Sequence, residues 1–341
     1  MFRTYKAALK NRMARTIAHL VNVEVDRLAP QMAQTVVHLV NVEMDRLAAQ
    51  QALSSEVHAT AIINRTAQML RAEYTVMPRF GFHQPIDYLT DTAAPAFASA
   101  VQVPGEQLPL PAFADRMGYP ADDQAYLEHG AYDASLVRAQ IERHLGQREN
   151  LAILDFGCST GRVLRHFHSD HQQRNWQLYG VDIQAYCIEW LRRHFPNEFT
   201  VYTGTALPHL PFEDNSLDVI YGFSVFTHIK YSWDMWLMEL RRVLKPGGLL
   251  IQTIHAEAAW AYYHQHRNEA WVQNALSPAI HDAPAMTHDW FHHGDIAVSQ
   301  AFWRRDIARE FWGRYLEVIE VLPPPEKYSF QDWMLCRKPQ R

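Results

Sequence analysis

The stretch that most restricts how this chain can fold runs from Leu151 to Phe167, LAILDFGCSTGRVLRHF. A short apolar run (Leu151, Ile153, Leu154) ends in an acid, Asp155, and passes into a turn of small residues; from Val163 the pattern becomes helical. A strand, a tight loop and a helix start in that order aim backbone N–H groups and the positive end of a helix dipole at a ligand. Gly157 and Gly161 let backbone approach closely and turn sharply. The loop has no Gly-Lys-Ser/Thr sequence, which argues against a triphosphate-cradling P-loop.

A second strand follows one helix later, Gln177 to Val181, and ends in Asp182. An acid at this tip, roughly 20 residues past a glycine turn, is where a doubly wound sheet holds ribose hydroxyls, a logic that nicotinamide-binding folds share. Further on stand Leu217-Asp-Val-Ile220, then Ser224-Val-Phe-Thr-His228, and the turn Leu244-Lys-Pro-Gly-Gly-Leu-Leu250.

Asp155-x-Gly157-x-Ser159-x-Gly161 with Gly180-Val-Asp-Ile183 resembles the first two motifs of class I S-adenosylmethionine-dependent methyltransferases. The later segments resemble that family's fourth-strand motif and its turn into the fifth strand. SVFTHI and ELRRVLKPGGLL are similar to a broad bacterial group, methyltransferase types 11 and 25, that acts on small molecules, glycans and natural-product intermediates. The implied fold is α/β and Rossmann-like, a seven-stranded sheet of order 3-2-1-4-5-7-6 with only strand seven antiparallel. Strand three is expected near Phe199–Tyr202, four at Leu217–Phe223, five at Gly248–His255, six at Leu316–Val321 and seven at Trp333–Arg337.

The resemblance also implies the site. The cofactor is S-adenosylmethionine, with S-adenosylhomocysteine as product. Asp155 is expected to hold the methionine amino group, with Gly157, Cys158, Ser159 and Gly161 forming the loop around it. Asp182 is expected on the ribose and Ile183 against adenine. Ala206 lies at the adenine edge, preceded by Thr205 where the family usually has an acid. Phe223 and Ser224 fall beside the sulfonium. Ser159 replaces a common glycine and fits if its backbone needs no positive φ. Tyr126, Gly130 and Tyr132, on a helical segment from Asp122 through His144, are expected near the cofactor. The bland alternative for Asp155 and Asp182 is that they merely satisfy loop amides. Cys158 invites a nucleophile reading, but no histidine partner can be assigned, so a small neutral loop residue is the better one.

Methyl transfer from a sulfonium needs an aligned nucleophile, exclusion of water and, at times, a base. Candidate bases are His255 at the rim end of strand five, His228 after strand four, and His292 or His293 in a long insertion, about 256–300, read as a substrate lid. With 19 histidines in the chain, chance placement is common. The insertion also carries His264, His266, His281, His288 and Asp295, whose spacings match no zinc pattern, so no metal is expected. Trp260, Tyr263, Trp290 and Phe291 form either an aromatic acceptor pocket or the packing of the lid.

Upstream of the catalytic domain (122–341), residues 1–75 read as a helical extension and 76–121 as a proline-rich connector. The extension repeats His19–Ala29 as His38–Ala48 with one difference, Val25 against Met44. Helices built from it are expected to pack on each other or on a second copy, giving a homo-oligomer. Residues 1–16 carry five basic residues and no acid; a solvated helix is favoured over weak membrane-surface association. The formal net charge of −5 and the absence of an Asn/Asp-Pro-Pro-Tyr/Phe signature at Gly222-Phe-Ser-Val225 argue against nucleic acid as partner. No apolar run approaches the roughly 20 residues of a membrane span, and three scattered cysteines fit a reducing cytoplasm.

The expected activity is O-methylation of a small-molecule, natural-product or glycan hydroxyl. N-methylation of a small amine is the first alternative. A non-catalytic cofactor-binding scaffold that recruits a partner enzyme through its helical arm is the second.

Overall fold

The structure is a computed structural model, and it describes residues 100–116, 119, 122–229, 232–269, 272, 283–287, 289–293 and 300–340. The helical extension, its duplication and the basic residues 1–16 lie outside the described residues, as does most of the proline-rich connector.

Within the connector, two short strands, β1 (Ala100–Val101) and β2 (Leu110–Pro111), pair antiparallel. Helix α1 (Asp123–Leu145) follows, started by Asp122, whose carboxylate accepts the Ala125 N–H at 2.8 Å. Gly146, at φ 75°, ends it.

Seven strands form the main sheet. They are β3 (Ala152–Phe156), β4 (Gln177–Asp182), β5 (Phe199–Thr203), β6 (Leu217–Gly222), β7 (Leu244–Ile254), β10 (Glu317–Leu322) and β11 (Asp332–Arg337). Their order, β5-β4-β3-β6-β7-β11-β10, is the expected one, and only β11 runs against its neighbours. All five residues of β3 are buried, as a central parallel strand covered on both faces must be. Alternation then divides the core. Val219, Tyr221, Leu249 and Ile251 pack into one apolar layer, and Ile220, Leu250 and Ile254 into the other.

Between the strands lie α2 (His168–Arg174), α3 (Ala185–His194), α4 (Trp233–Val243) and, before β10, α6 (Arg305–Trp312). Two expectations need correction. The helical pattern from Val163 begins as a 3₁₀ turn, Leu164–Phe167, and becomes α-helical only at His168. Strand β7 begins at Leu244 rather than Gly248, because the turn itself pairs, Leu217 opposite Leu244, before the register shifts.

The insertion after β7 contains α5 (Glu257–Gln265) and a hairpin of β8 (Trp290–His293) and β9 (Gln300–Trp303). Strand β9 is tied to the strand tips. The Ala301 N–H reaches the Thr227 carbonyl at 2.7 Å, and the Trp303 N–H reaches the His255 carbonyl at 2.8 Å.

Candidate functional site

The loop after β3 has the backbone that its glycines suggest. Gly157 and Gly161 stand at φ +85° and +79°. A Cβ at Gly157 would overlap the Val225 side chain, so this glycine is also a close approach between the loop and the segment after β6. Ser159 departs from expectation. It too lies at positive φ, +49°, so the condition under which serine fits without strain is not met.

What holds Ser159 there is Asp182. Its carboxylate accepts the Ser159 N–H at 2.7 Å through one oxygen and the Gln184 N–H at 2.7 Å through the other. The acid at the tip of β4 therefore ties the glycine loop to the turn that leads into α3. Asp155, 3% exposed, sits at the tip of β3 and faces the Tyr221 phenol of β6. Burial raises its carboxyl to about 7, against the opposing pull of the neighbouring Tyr221 hydroxyl and Arg162 guanidinium.

Cys158 is buried and its thiol pushed far up by burial, which leaves it a neutral packing group. Ile183 is half-buried beside the clamp. The Thr205 hydroxyl accepts the Leu207 N–H at 3.2 Å, capping its own turn, and Ala206 beside it is half-buried. On the leading helix, Tyr126 is buried, Gly130 lies against the Arg162 carbonyl, and Tyr132 meets Tyr328 edge-on at 5.5 Å.

At the tip of β6, Phe223 is half-buried with its ring edge-on to Trp333 at 5.3 Å. Ser224 is again left-handed, at φ +56°, and its N–H is fixed by the Thr253 hydroxyl at 2.8 Å. Its own hydroxyl meets the Gln331 side-chain amide at 2.7 Å, and the amide nitrogen of Gln331 lies 3.3 Å from His255 Nε2. A polar chain, Ser224–Gln331–His255, thus runs from the strand tip into the interior.

His255 is not at the rim. It is 2% exposed, with its ring against Phe302 and Phe330 and edge-on to Tyr263. Burial, with a smaller contribution from His228, holds its pKa well below the usual range, so the imidazole is neutral. His228 itself is exposed. The backbone of His292 pairs with Ala301, and those of Trp290 and Phe291 with Trp303 and Phe302; their side chains lie outside the described residues. Trp260 and Tyr263 are buried in the insertion's own core. Trp260 donates to the Ala283 carbonyl at 2.8 Å and the Tyr263 hydroxyl meets Gln300 at 3.4 Å, so neither is an open pocket wall. Among the described residues, no three His, Cys, Asp or Glu side chains gather as metal ligands.

Four participants were not among the expected site residues: Tyr221, Gln331, Tyr328 and Arg162. Gln331 and Tyr328 come from the loop between β10 and β11, which the triple proline Pro323–Pro325 marks only as stiff. Tyr328 stands at φ +64°, and its carbonyl lies 2.9 Å from His129 Nε2 on α1. This loop caps the strand tips together with the insertion.

The sheet order, the left-handed glycine loop and the two strand-tip carboxylates make this the α/β Rossmann-like methyltransferase fold. Residues 154–252 match the family model described as "Methyltransferase domain". Among curated proteins, the chain is 29% identical over 119 residues to malonyl-[acyl-carrier protein] O-methyltransferase of Hahella chejuensis, covering 32% of this chain and 40% of that protein. It is 25% identical over 128 residues to sterol 24-C-methyltransferase ERG6B of Gibberella zeae, covering 35% and 32%. The chain thus spans about a third to two fifths of these relatives' length. A solved structure, the PH0226 protein of Pyrococcus horikoshii, is 16% identical with a TM-score of 0.44, covering 67% of this chain and 95% of that one.

The residues present fit the cofactor. Asp155 offers a buried carboxyl to an ammonium group, and the loop from Gly157 to Gly161 is shaped for close approach. Bound there, S-adenosylmethionine supplies an activated methyl group on a sulfonium.

Proposed function

We propose that the protein transfers a methyl group from S-adenosylmethionine to a hydroxyl oxygen of a small-molecule, natural-product or glycan acceptor. The observation that carries this reading is the pair of buried strand-tip carboxylates around one left-handed loop. In this reading Asp155 takes the amino group. Asp182 orders the loop and, exchanging its loop contacts, is placed for the ribose hydroxyls.

On the acceptor side, neutral His255 orients the Gln331 amide, and the amide orients the Ser224 hydroxyl beside the expected methyl position. Such a chain aligns a hydrogen-bonding nucleophile and holds its lone pair in line. The burial of His255 favours a second reading, N-methylation, in which a neutral amine attacks without a base.

Calorimetric titration with S-adenosylmethionine and S-adenosylhomocysteine tests the cofactor assignment. Wild-type protein is expected to bind at micromolar Kd, and Asp182→Ala to weaken binding by about tenfold or more, about 1.4 kcal/mol. Folded protein that binds neither ligand would refute the assignment. A methyl-transfer screen pairing each hydroxyl acceptor with its amine analogue then separates the two readings. Turnover confined to the amines overturns O-methylation.

A further inference from the structure

Three arginines among the described residues are buried to a similar depth: Arg116, Arg162 and Arg165. Two of them are spent on structure. Arg116 donates to the Pro111 carbonyl at 3.2 Å and pairs with Asp123. Arg165 donates to the carbonyls of Pro109, at 3.0 Å, and Leu108. Arg162 is different. One arm pairs with Asp133 on α1 at 2.7 Å, while the other nitrogen, Nη1, is buried without a hydrogen-bond partner.

A buried guanidinium nitrogen left without a partner is costly, more so than a neutral donor. The surroundings keep it in place. The guanidinium lies 3.9 Å over the Tyr119 ring and 5.8 Å from the Phe223 ring at the tip of β6. Gly130 gives α1 its approach, because a Cβ there would overlap the Arg162 carbonyl. The residue directly follows Gly161, and its charge acts on Asp155.

A carboxyl and a half-partnered guanidinium on one loop are the charge complement of an α-amino acid, whose ammonium and carboxylate share one carbon. We propose that Arg162 binds the carboxylate of the cofactor's amino-acid end and so makes the site select a carboxylate-bearing sulfonium over its decarboxylated form. Asp133 and Tyr119 hold the fork in plane, and the unpartnered arm meets the carboxylate. The consequence is chemical. A site that requires the carboxylate rejects decarboxylated S-adenosylmethionine, the donor for aminopropyl transfer, and so excludes that reaction.

This inference rests on the cofactor assignment above, and its test separates the two. Titrations on the full chain compare S-adenosylhomocysteine with its decarboxylated form, which keeps the nucleoside, the sulfur and the amino group but lacks the carboxylate. Arg162→Met is expected to weaken S-adenosylhomocysteine by about 30-fold, about 2 kcal/mol, and the decarboxylated form by no more than about twofold. Because Arg162→Met strands Asp133 in the core, the double variant Arg162→Met/Asp133→Asn removes both charges and keeps the comparison if the single variant unfolds. Equal weakening of both ligands, or no weakening of either, overturns the carboxylate role while leaving the cofactor site standing. Wild-type protein that binds neither ligand overturns both.

Discussion

The tips of β3 and β4 and the tips of β6, β7 and β11 belong to one sheet but are built on different plans. On the proposed cofactor side, the polar groups are close in sequence and all but a serine are ionisable. Asp155, Ser159, Arg162 and Asp182 span one strand–loop–helix–strand unit, and the loop is left-handed at Gly157, Ser159 and Gly161. On the acceptor side, the polar groups are neutral and drawn from afar. Ser224, His255 and Gln331 meet from three segments, and the His255 ring packs on Tyr263, Phe302 and Phe330. The first plan suits a ligand end whose ammonium and carboxylate keep their charges while the methyl leaves. The second suits an acceptor whose shape must be matched, where aromatic packing and an oriented amide do the selecting.

If the two sides are independent, damage to the acceptor side leaves cofactor binding intact. Trp260→Ala is the largest test. It empties a fully buried indole site in the insertion's core and leaves the Ala283 carbonyl without its donor. Truncations of this kind cost about 3–5 kcal/mol, a large share of a typical domain's stability. Thermal melting is expected to show that loss as a lower transition or a separate early one, with S-adenosylhomocysteine affinity held within about twofold. A parallel collapse of affinity would show that the insertion supports the cofactor loop.

The cofactor side has its own signature, in pH. Burial holds the Asp155 carboxyl at about 7, above its unfolded value of 3.8. An acid raised on folding favours the native state while protonated. Its contribution to the stability of the ligand-free protein is therefore fully present below about pH 4 and is lost as pH rises from there through 7. Binding runs the other way, since an ammonium group requires the carboxylate. Affinity for S-adenosylhomocysteine is expected to rise by about tenfold from pH 6 to 7.5 and then level off. Asp155→Asn should flatten that rise. A rise of the same size in the asparagine variant would assign the titration to another group.

The contrast also explains what could be read in advance. The strands and the glycine loop were legible because their determinants are local, acids at strand ends and glycines at turns, whereas the sheet order came through the family resemblance those motifs carry. The acceptor side was not. His255 was expected at the rim because it ends β7, but β9 and the loop carrying Phe330 and Gln331 cover it, and neither has a sequence signature. Arg162 stood in plain view beside Gly161, yet only its pairing with Asp133, across the close crossing at Gly130, singles it out from other basic residues. Asp182 served both readings at once. The same carboxylate that resembles a ribose ligand is also a cap for loop amides.

Ser159 gives the smallest and sharpest test of how far local strain belongs to the cofactor plan. A non-glycine residue in the left-handed region costs roughly 1–2 kcal/mol, so Ser159→Gly relieves that strain. Glycine also adds freedom to the unfolded chain, which takes back about 0.4–1 kcal/mol. The net change in stability is expected to be a gain of no more than about 1 kcal/mol, read as a rise in Tm of about 2–4 °C. The Ser159 N–H to Asp182 survives the substitution, so affinity for S-adenosylhomocysteine should stay within about twofold. A marked fall in affinity would mean that serine's restricted backbone preorganises the loop, so that the strain at Ser159 serves binding. In that case the cofactor side would share with Ser224, on the acceptor side, the device of a left-handed serine locked by one N–H bond, and the two plans would differ less than their chemistry implies.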